Sequence, residues 1–215
     1  MENFPPTVLA SSLPGLPPGT PLVGERVAWM YGKLLADPDR QHVNLNYTML
    51  SAGDIVALRE ATRGGMKRWC IVDTDFDTQD DFVNLMACIG DSKPDEVEMQ
   101  ALDLSDPDSA HSANRLVAGC GASRLTINHC HMSSEGRDEL SRALCYRKGD
   151  ALRTLELTRM GLDRSWMGFY RHERPYDSLT TLNLNNNPLG DGIHTLLKQV
   201  SSTGLQELFL NSVGM

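Results

Sequence analysis

The stretch SLTTLNLNNNPLGDGIHTLLKQV, residues 178–200, decides the fold class. The spacing L-x-x-L-x-L-x-x-N-x-L is met there without a mismatch by Leu179, Leu182, Leu184, Asn187 and Leu189. Apolar residues at helical spacing follow from Ile193 to Val200. The stretch therefore predicts a strand, a loop and a helix, in that order.

The same spacing can be laid along nearly the whole chain. We place the first positions of seven copies at Arg40, Met66, Met99, Ala122, Leu152, Leu179 and Leu205. The intervals between them are 26, 33, 23, 30, 27 and 26 residues. The third copy fits worst, because it places Pro107 and Ser109 at its ninth and eleventh positions, where side chains should point inward. Internal repetition of this length predicts a stacked array of strand–helix units.

This pattern resembles the leucine-rich repeats of the ribonuclease-inhibitor-like subclass. The resemblance implies an α/β solenoid, or horseshoe, with a parallel sheet on its concave face and helices on its convex face. A single unit cannot bury its apolar strand face or its apolar helix face alone, so stacked units are needed to form the core.

Three segments follow from this register. Residues 1–19, which contain five prolines, are predicted to be an extended or disordered arm. Residues 20–38 are predicted to form a capping helix that begins at Thr20-Pro21 and runs to about Ala36. A free amphipathic helix that docks on a partner or a membrane is the alternative, although the helix has few basic residues for a membrane. Residues 39–215 are predicted to hold about seven repeat units, of which the last is incomplete.

The charge of the chain bears on its partners. A net charge of -8 disfavours nucleic acid, because phosphate binding needs a basic surface. Residues 73–108 contain twelve acidic residues and the single base Lys93, which favours a basic protein partner or a merely solvated acidic face. No apolar run is long enough to span a bilayer, so membrane insertion is not expected.

Catalytic and cofactor signals are weak. No GxSxG, P-loop, GxGxxG or HExxH motif occurs, and the five cysteines contain no CxxC pair. We therefore expect no catalytic residue, no metal and no cofactor, and we predict that the protein is not an enzyme. The first basic residue is Arg26, which argues against a secretory or transit peptide. A cytoplasmic location is predicted, cytoskeleton-associated assemblies included, and import into an organelle is left open.

The resemblance also implies where partners would bind. In such repeats the third, fifth and seventh positions line the concave face. These positions hold few of the aromatic residues that anchor interfaces. The alternative is therefore that the face is merely solvated. The candidate partner-binding residues on this face are Arg68, Asp103, Arg124, Asn128, Glu156, Asn183, Asn185, Glu207, Phe209 and Asn211.

Leucine-rich repeats of this kind commonly bind proteins, so the resemblance implies a non-catalytic protein–protein interaction scaffold, a structural or assembly subunit of a larger complex. The alternative is a stand-alone inhibitor or recognition receptor fragment that binds one protein through its concave face. The seventh copy has a predicted strand without a helix. We therefore expect its open edge, residues 205–215, to be covered by a partner or by a second copy.

Overall fold

A computed structural model describes residues 13–17, 19–20, 23–37, 41–147, 152–166, 178–201 and 203–214. Within these residues there are eleven strands and six helices, numbered in chain order. The strands are β1 His42–Asn44, β2 Met49–Leu50, β3 Arg68–Val72, β4 Asp75–Phe76, β5 Glu96–Gln100, β6 Asp103–Leu104, β7 Arg124–Asn128, β8 His131–Met132, β9 Thr154–Thr158, β10 Thr181–Asn183 and β11 Glu207–Phe209. The helices are α1 Glu25–Ala36, α2 Ala52–Ala61, α3 Gln79–Asp91, α4 Pro107–Gly119, α5 Ser134–Cys145 and α6 Gly192–Val200.

The main sheet has seven strands in the order β1-β3-β5-β7-β9-β10-β11, and every neighbouring pair is parallel. Strand order follows chain order: in the five crossovers that lie wholly or largely in the described residues, the chain passes through a helix and returns one strand further on. The prediction of an α/β fold with a parallel sheet is confirmed.

Two rows of buried side chains run across this sheet. The first row is Val43, Trp69, Val97, Leu125, Leu155, Leu182 and Leu208. The second row includes Ile71, Met99, Ile127 and Leu157, which pair directly. Both rows belong to a single core cluster with the apolar helix faces. Only Leu208 at the β11 edge is half-buried rather than buried in the first row. We call each main strand with its following loop, short strand and helix a unit, numbered one to seven.

The predicted register of the third unit is wrong. Trp69 pairs with Val97 and Val97 with Leu125, so Val97 occupies the place that the prediction gave to Leu102. First-row residues of units two, three and four are therefore 28 residues apart, instead of 33 and 23. Pro107 does not point into the sheet core. It begins α4, with Asp106 as the N-cap, because proline is favoured in the first turn of a helix.

The capping helix begins later than predicted. The expected start was Thr20-Pro21, but α1 begins at Glu25 after an extended Gly24 with φ -63 and ψ 143. The backbone N–H of Gly24 donates to Asp54 Oδ1 at 2.7 Å, and Asp54 also accepts hydrogen bonds from the N–H and hydroxyl of Ser51. Asp54 is buried and so joins the start of α1 to the start of α2. A tertiary hydrogen bond, rather than local capping, sets where α1 begins.

The predicted arm lies mostly outside the described residues, which cover 13–17 and 19–20 of it. Leu13 and Leu16 pack against the core, and the hydroxyl of Tyr31 on α1 donates to the Pro14 carbonyl at 2.6 Å. This stretch of the arm therefore contacts the capping helix.

Asp54→Ala is expected to destabilise the protein by about 2–3 kcal/mol, because it removes a helix cap and leaves the half-buried Gly24 and Ser51 donors without this acceptor. Amide hydrogen exchange should rise first across α1. The control is Asp138→Ala on the exposed side of α5, which should change the free energy of unfolding by less than about 0.5 kcal/mol. Equal effects of the two substitutions in urea titrations would contradict the role of Asp54.

The short strands pair two units at a time. β2 pairs with β4 and β6 pairs with β8, as two separate two-stranded sheets. The residue five places after each first-row residue explains this grouping. In units two, four and six this residue is Thr74, Cys130 and Asn187, respectively. Its side chain donates a hydrogen bond to a backbone carbonyl of the preceding unit, which belongs to Leu45, Met99 and Leu157 in the same order.

In units three and five the equivalent residues are Leu102 and Met160, which carry no side-chain N–H or O–H donor. The backbone N–H groups of Met160 and Leu162 instead donate to Asn187 Oδ1 of unit six, at 2.9 and 3.2 Å. Hydrogen bonds of this residue therefore join unit one to unit two, unit three to unit four, and unit five to unit six.

Candidate functional site

The open face of the seven-stranded sheet carries the polar side chains that alternate with the buried rows. A groove of about 300 Å³ runs over β3, β5, β7, β9 and β10. Most of its lining is polar: Arg68, Glu96, Glu98, Gln100, Arg124, Thr126, Asn128, Glu156, Thr158 and Asn183. We call this surface the sheet face. It is formed because strand side chains alternate between the core and the solvent.

Four charges form a cluster at the centre of the sheet face. Parallel pairing places Arg68, Glu96 and Arg124 side by side on β3, β5 and β7. Arg68 Nη2 lies 2.9 Å from Glu98 Oε2, and Arg68 Nε lies 3.6 Å from Glu96 Oε2. The hydrogen bond to Glu98, followed by the charges of Glu98 and Glu96, raises the pKa of Arg68. Arg68 is thus held in place by two carboxylates.

Arg124 is bound less tightly than Arg68. Its Nε lies 3.9 Å from Glu96 Oε1, and its side chain is 52% exposed. A guanidinium with one distant carboxylate keeps free N–H directions for a second acceptor. Arg124 is therefore the charged group of the cluster best placed to receive a carboxylate or carbonyl from outside.

Hydrogen bonds between neighbouring strands order the rest of the face. Asn183 Nδ2 donates to Glu156 at 3.2 Å, and the Thr158 hydroxyl donates to Asn128 Oδ1 at 2.8 Å. The Thr181 hydroxyl donates to Glu207 at 3.0 Å. Such lateral bonds fix rotamers before any partner arrives, which lowers the entropy cost of binding.

Cys70 lies on the same face, half-buried between Asn44 and Glu98. Burial, together with the charge of Glu98, raises the pKa of its thiol to about 11. The thiol is protonated at neutral pH, and its Sγ–H donates to Asn46 Oδ1 at 3.6 Å. Cys70 is a hydrogen-bond donor of the face and lacks the thiolate character of a nucleophile.

Nine of the ten predicted site residues belong to this face or follow directly after its strands. Seven lie in strands of the main sheet: Arg68, Arg124, Asn128, Glu156, Asn183, Glu207 and Phe209. Phe209 ends β11. Asn185 and Asn211 follow β10 and β11 and bond to each other, because Asn211 N–H donates to Asn185 Oδ1 at 2.6 Å.

Asp103 is the exception, because its predicted place on the sheet face is wrong. It lies in β6, beyond the carboxyl end of β5, and not on the sheet face. The fifth-position residue of unit three is Glu98, which pairs with Cys70 and Thr126. The wrong register therefore also missed Glu96 and Glu98. The alternation Glu96-Val97-Glu98-Met99 was the signal that could have found them.

The last strand is the least covered part of the face. Phe209 is 42% exposed, and Leu205, Leu208 and Leu210 are only half-buried. The expected partner or second copy at residues 205–215 stays a prediction.

The sequence matches no protein-family model, and no curated protein matches it at significance. Across the described ranges, no helix combines the length and apolar character needed to cross a membrane. Within those same ranges, no three His, Cys, Asp or Glu side chains are grouped so that they could share a metal ion.

Proposed function

We propose that the chain is a leucine-rich-repeat solenoid of the ribonuclease-inhibitor-like subclass, with the sheet face as its concave surface. The in-register rows support this proposal, because first-row residues recur every 26 to 30 residues from Val43 to Leu208. Unit length near the long end of the leucine-rich class suits a full helix in each unit.

We infer that the protein is a non-catalytic protein–protein interaction scaffold, a subunit of a larger cytoplasmic assembly. The observation that carries this function is the charge cluster on the sheet face. Arg68 is fixed by Glu96 and Glu98, while the neighbouring Arg124 remains half exposed. A fixed polar surface with one available guanidinium favours recognition of an acidic or carbonyl-rich protein surface.

Arg68→Glu/Arg124→Glu is expected to abolish partner binding through the sheet face, because it replaces both guanidinium donors by acceptors beside Glu96. Tagged protein would be purified from cells of its source with quantitative mass spectrometry, in parallel with the wild type. At least a tenfold loss of the proteins that co-purify with the wild type is expected, since two charge-assisted contacts are removed.

Arg115→Glu/Arg142→Glu is the matched control, because it makes the same change in net charge at exposed positions of α4 and α5. These variants should retain the co-purifying proteins. Retention by both variants, or loss in both, would contradict the sheet face as the binding surface. A single stoichiometric partner, in place of a multi-protein set, would favour the inhibitor or receptor alternative over the assembly subunit.

A further inference from the structure

A second groove lies beyond the carboxyl ends of β3 and β5, where the short strands β4 and β6 fail to pair. It encloses about 190 Å³ and belongs to the junction between units two and three. The groove exists because Leu102 of unit three has no side-chain donor to bond back to unit two, as Thr74 and Cys130 do at the two neighbouring junctions.

The groove has an apolar floor and an acidic rim. Phe76 and Phe82 meet edge to face on the floor, with ring centroids 5.1 Å apart, and Leu102 lies beside them. Asp75 and Asp103, both exposed, line opposite strands. Gln79 closes one end by donating to Asp106.

The ionised form of Asp103 on the rim is stabilised by its neighbours. The Ser105 hydroxyl and backbone N–H hold the pKa of Asp103 below its ordinary value, with a smaller effect of His131, whose Nδ1 lies 3.6 Å away. Lys93, the one base of the acidic stretch, precedes β5 at the opposite end of the strand.

A backbone acceptor also faces this junction. Between units one and two, the Asp77 N–H donates to the Leu50 carbonyl at 2.9 Å, and the equivalent donor for the Phe76 carbonyl is the Ser105 N–H. Ser105 N–H instead donates to Asp103 Oδ1 of its own loop at 3.0 Å. The Phe76 carbonyl is thus left without its ladder donor.

The protein itself provides the comparison. Met132 of unit four is equivalent to Phe76, and its strand β8 is likewise the last of a two-stranded sheet. There the side chain of Arg137 donates to the Met132 carbonyl through Nη1 at 2.6 Å. The same guanidinium also lies beside unit five, because its Nη1 would be 3.8 Å from a Cβ atom added to Gly161.

Unit two cannot supply such a group. Arg137 is five residues after Met132, and the residue five after Phe76 is Asp81. Asp81 is buried and turned into the capping box of α3, where Oδ2 accepts from the Thr78 N–H and hydroxyl. The junction between units two and three therefore has the acceptor, the acidic surroundings and the apolar floor, but no guanidinium of its own.

We propose that this groove binds an arginine-bearing extended segment of a partner protein, whose guanidinium takes at the Phe76 carbonyl the place that Arg137 takes at the Met132 carbonyl. Asp75 and Asp103 flank the guanidinium, and its methylene stem lies over Phe76 and Leu102. The site is separate from the sheet face, so it stands or falls independently of the function proposed above.

The test is a titration of the full-length ¹⁵N-labelled chain with the capped peptide acetyl-Gly-Arg-Gly-Arg-Gly-amide, followed by NMR at low salt. We expect the largest amide shifts within residues 74–79 and 102–106. The isosteric citrulline peptide, which lacks the charge, should bind at least about tenfold more weakly, as expected for loss of charge-assisted hydrogen bonds.

Asp75→Asn/Asp103→Asn keeps the side-chain shapes and should raise the Kd of the arginine peptide at least about tenfold. Its thermal melt should match that of the wild type, because both residues are exposed. Glu135→Gln/Asp138→Asn removes the same charge from exposed positions of α5 and should change the Kd less than twofold. Equal affinity for the citrulline peptide, shifts spread over other acidic residues, or equal effects of the two double variants would overturn the proposal.

Discussion

Leu155→Asp is expected to prevent folding of the chain at 25 °C. Leu155 is fully buried in the first row of the core, with Leu125 on one side and Leu182 on the other. An aspartate there would be a buried charge without a partner, and its desolvation, added to the lost packing, exceeds about 5 kcal/mol. That is comparable with the whole free energy of unfolding of an ordinary domain. Far-ultraviolet circular dichroism and size-exclusion chromatography would measure the loss.

Thr154→Asp is the control, one residue away. Thr154 points to the sheet face, half-buried, where parallel pairing places Arg124 beside it. A carboxylate at that position keeps its water and gains a neighbouring guanidinium, so the melting temperature should stay within a few degrees of the wild type. Similar melts for the two variants would contradict the alternation of core and solvent along β9.

Asn187→Leu should have the second largest effect, because Asn187 is a fully buried amide that joins units five and six. It accepts from the Met160 and Leu162 N–H groups and donates to the carbonyls of Leu157 and Leu184, at 2.7 and 3.0 Å. Leucine has the same number and branching of side-chain heavy atoms but leaves these backbone groups unsatisfied, which costs about 3–5 kcal/mol in total. Urea-induced unfolding would measure the change.

Met160→Leu provides the matched comparison at the equivalent position of unit five. Met160 is buried, and its side chain offers the backbone no N–H or O–H donor, so the substitution conserves volume and removes no such bond. The free energy of unfolding should fall by less than about 1.5 kcal/mol. A loss as large as that of Asn187→Leu would show that packing, and not hydrogen bonding, sets the importance of this position.

Much of the main sheet could be predicted from apolar spacing alone. In units four, five and six, leucine or isoleucine recurs at fixed positions, and only one strand register is compatible with that recurrence. Leu125, Leu155 and Leu182 pair as this register requires. The spacing is informative because each unit must bury the same face against its neighbours.

The third unit failed because two registers satisfy the spacing. Val97 and Met99 compete with Leu102 and Leu104, and all four are buried. Leu102 and Leu104 belong to the loop and β6, which bury apolar residues as well as the main strand does. The start signal Asp106-Pro107 would have chosen correctly, since it fixes where α4 begins.

The contacts of the candidate site could not be predicted in this way. Alternation along each strand placed Arg68 and Arg124 on the open face. Which carboxylates they meet depends on the lateral register of β5, and this was the strand that the spacing misassigned. The groove between β4 and β6 exists where these two short strands do not pair. The residue pattern of a single unit does not predict whether its short strand pairs with that of the next unit.

The grouping of units into pairs couples the two surfaces of the molecule. The seam between units two and three has one strand ladder where its neighbouring seams have two, so a segment bound there would add contacts where the second ladder is missing. The ion pairs of Arg68 with Glu96 and Glu98 cross that same seam on the sheet face. A segment bound in the groove between β4 and β6 would therefore stabilise the contact between units two and three and reduce the mobility of the charge cluster on the sheet face. By reciprocal linkage, a partner bound on the sheet face would raise the affinity of the groove for its segment.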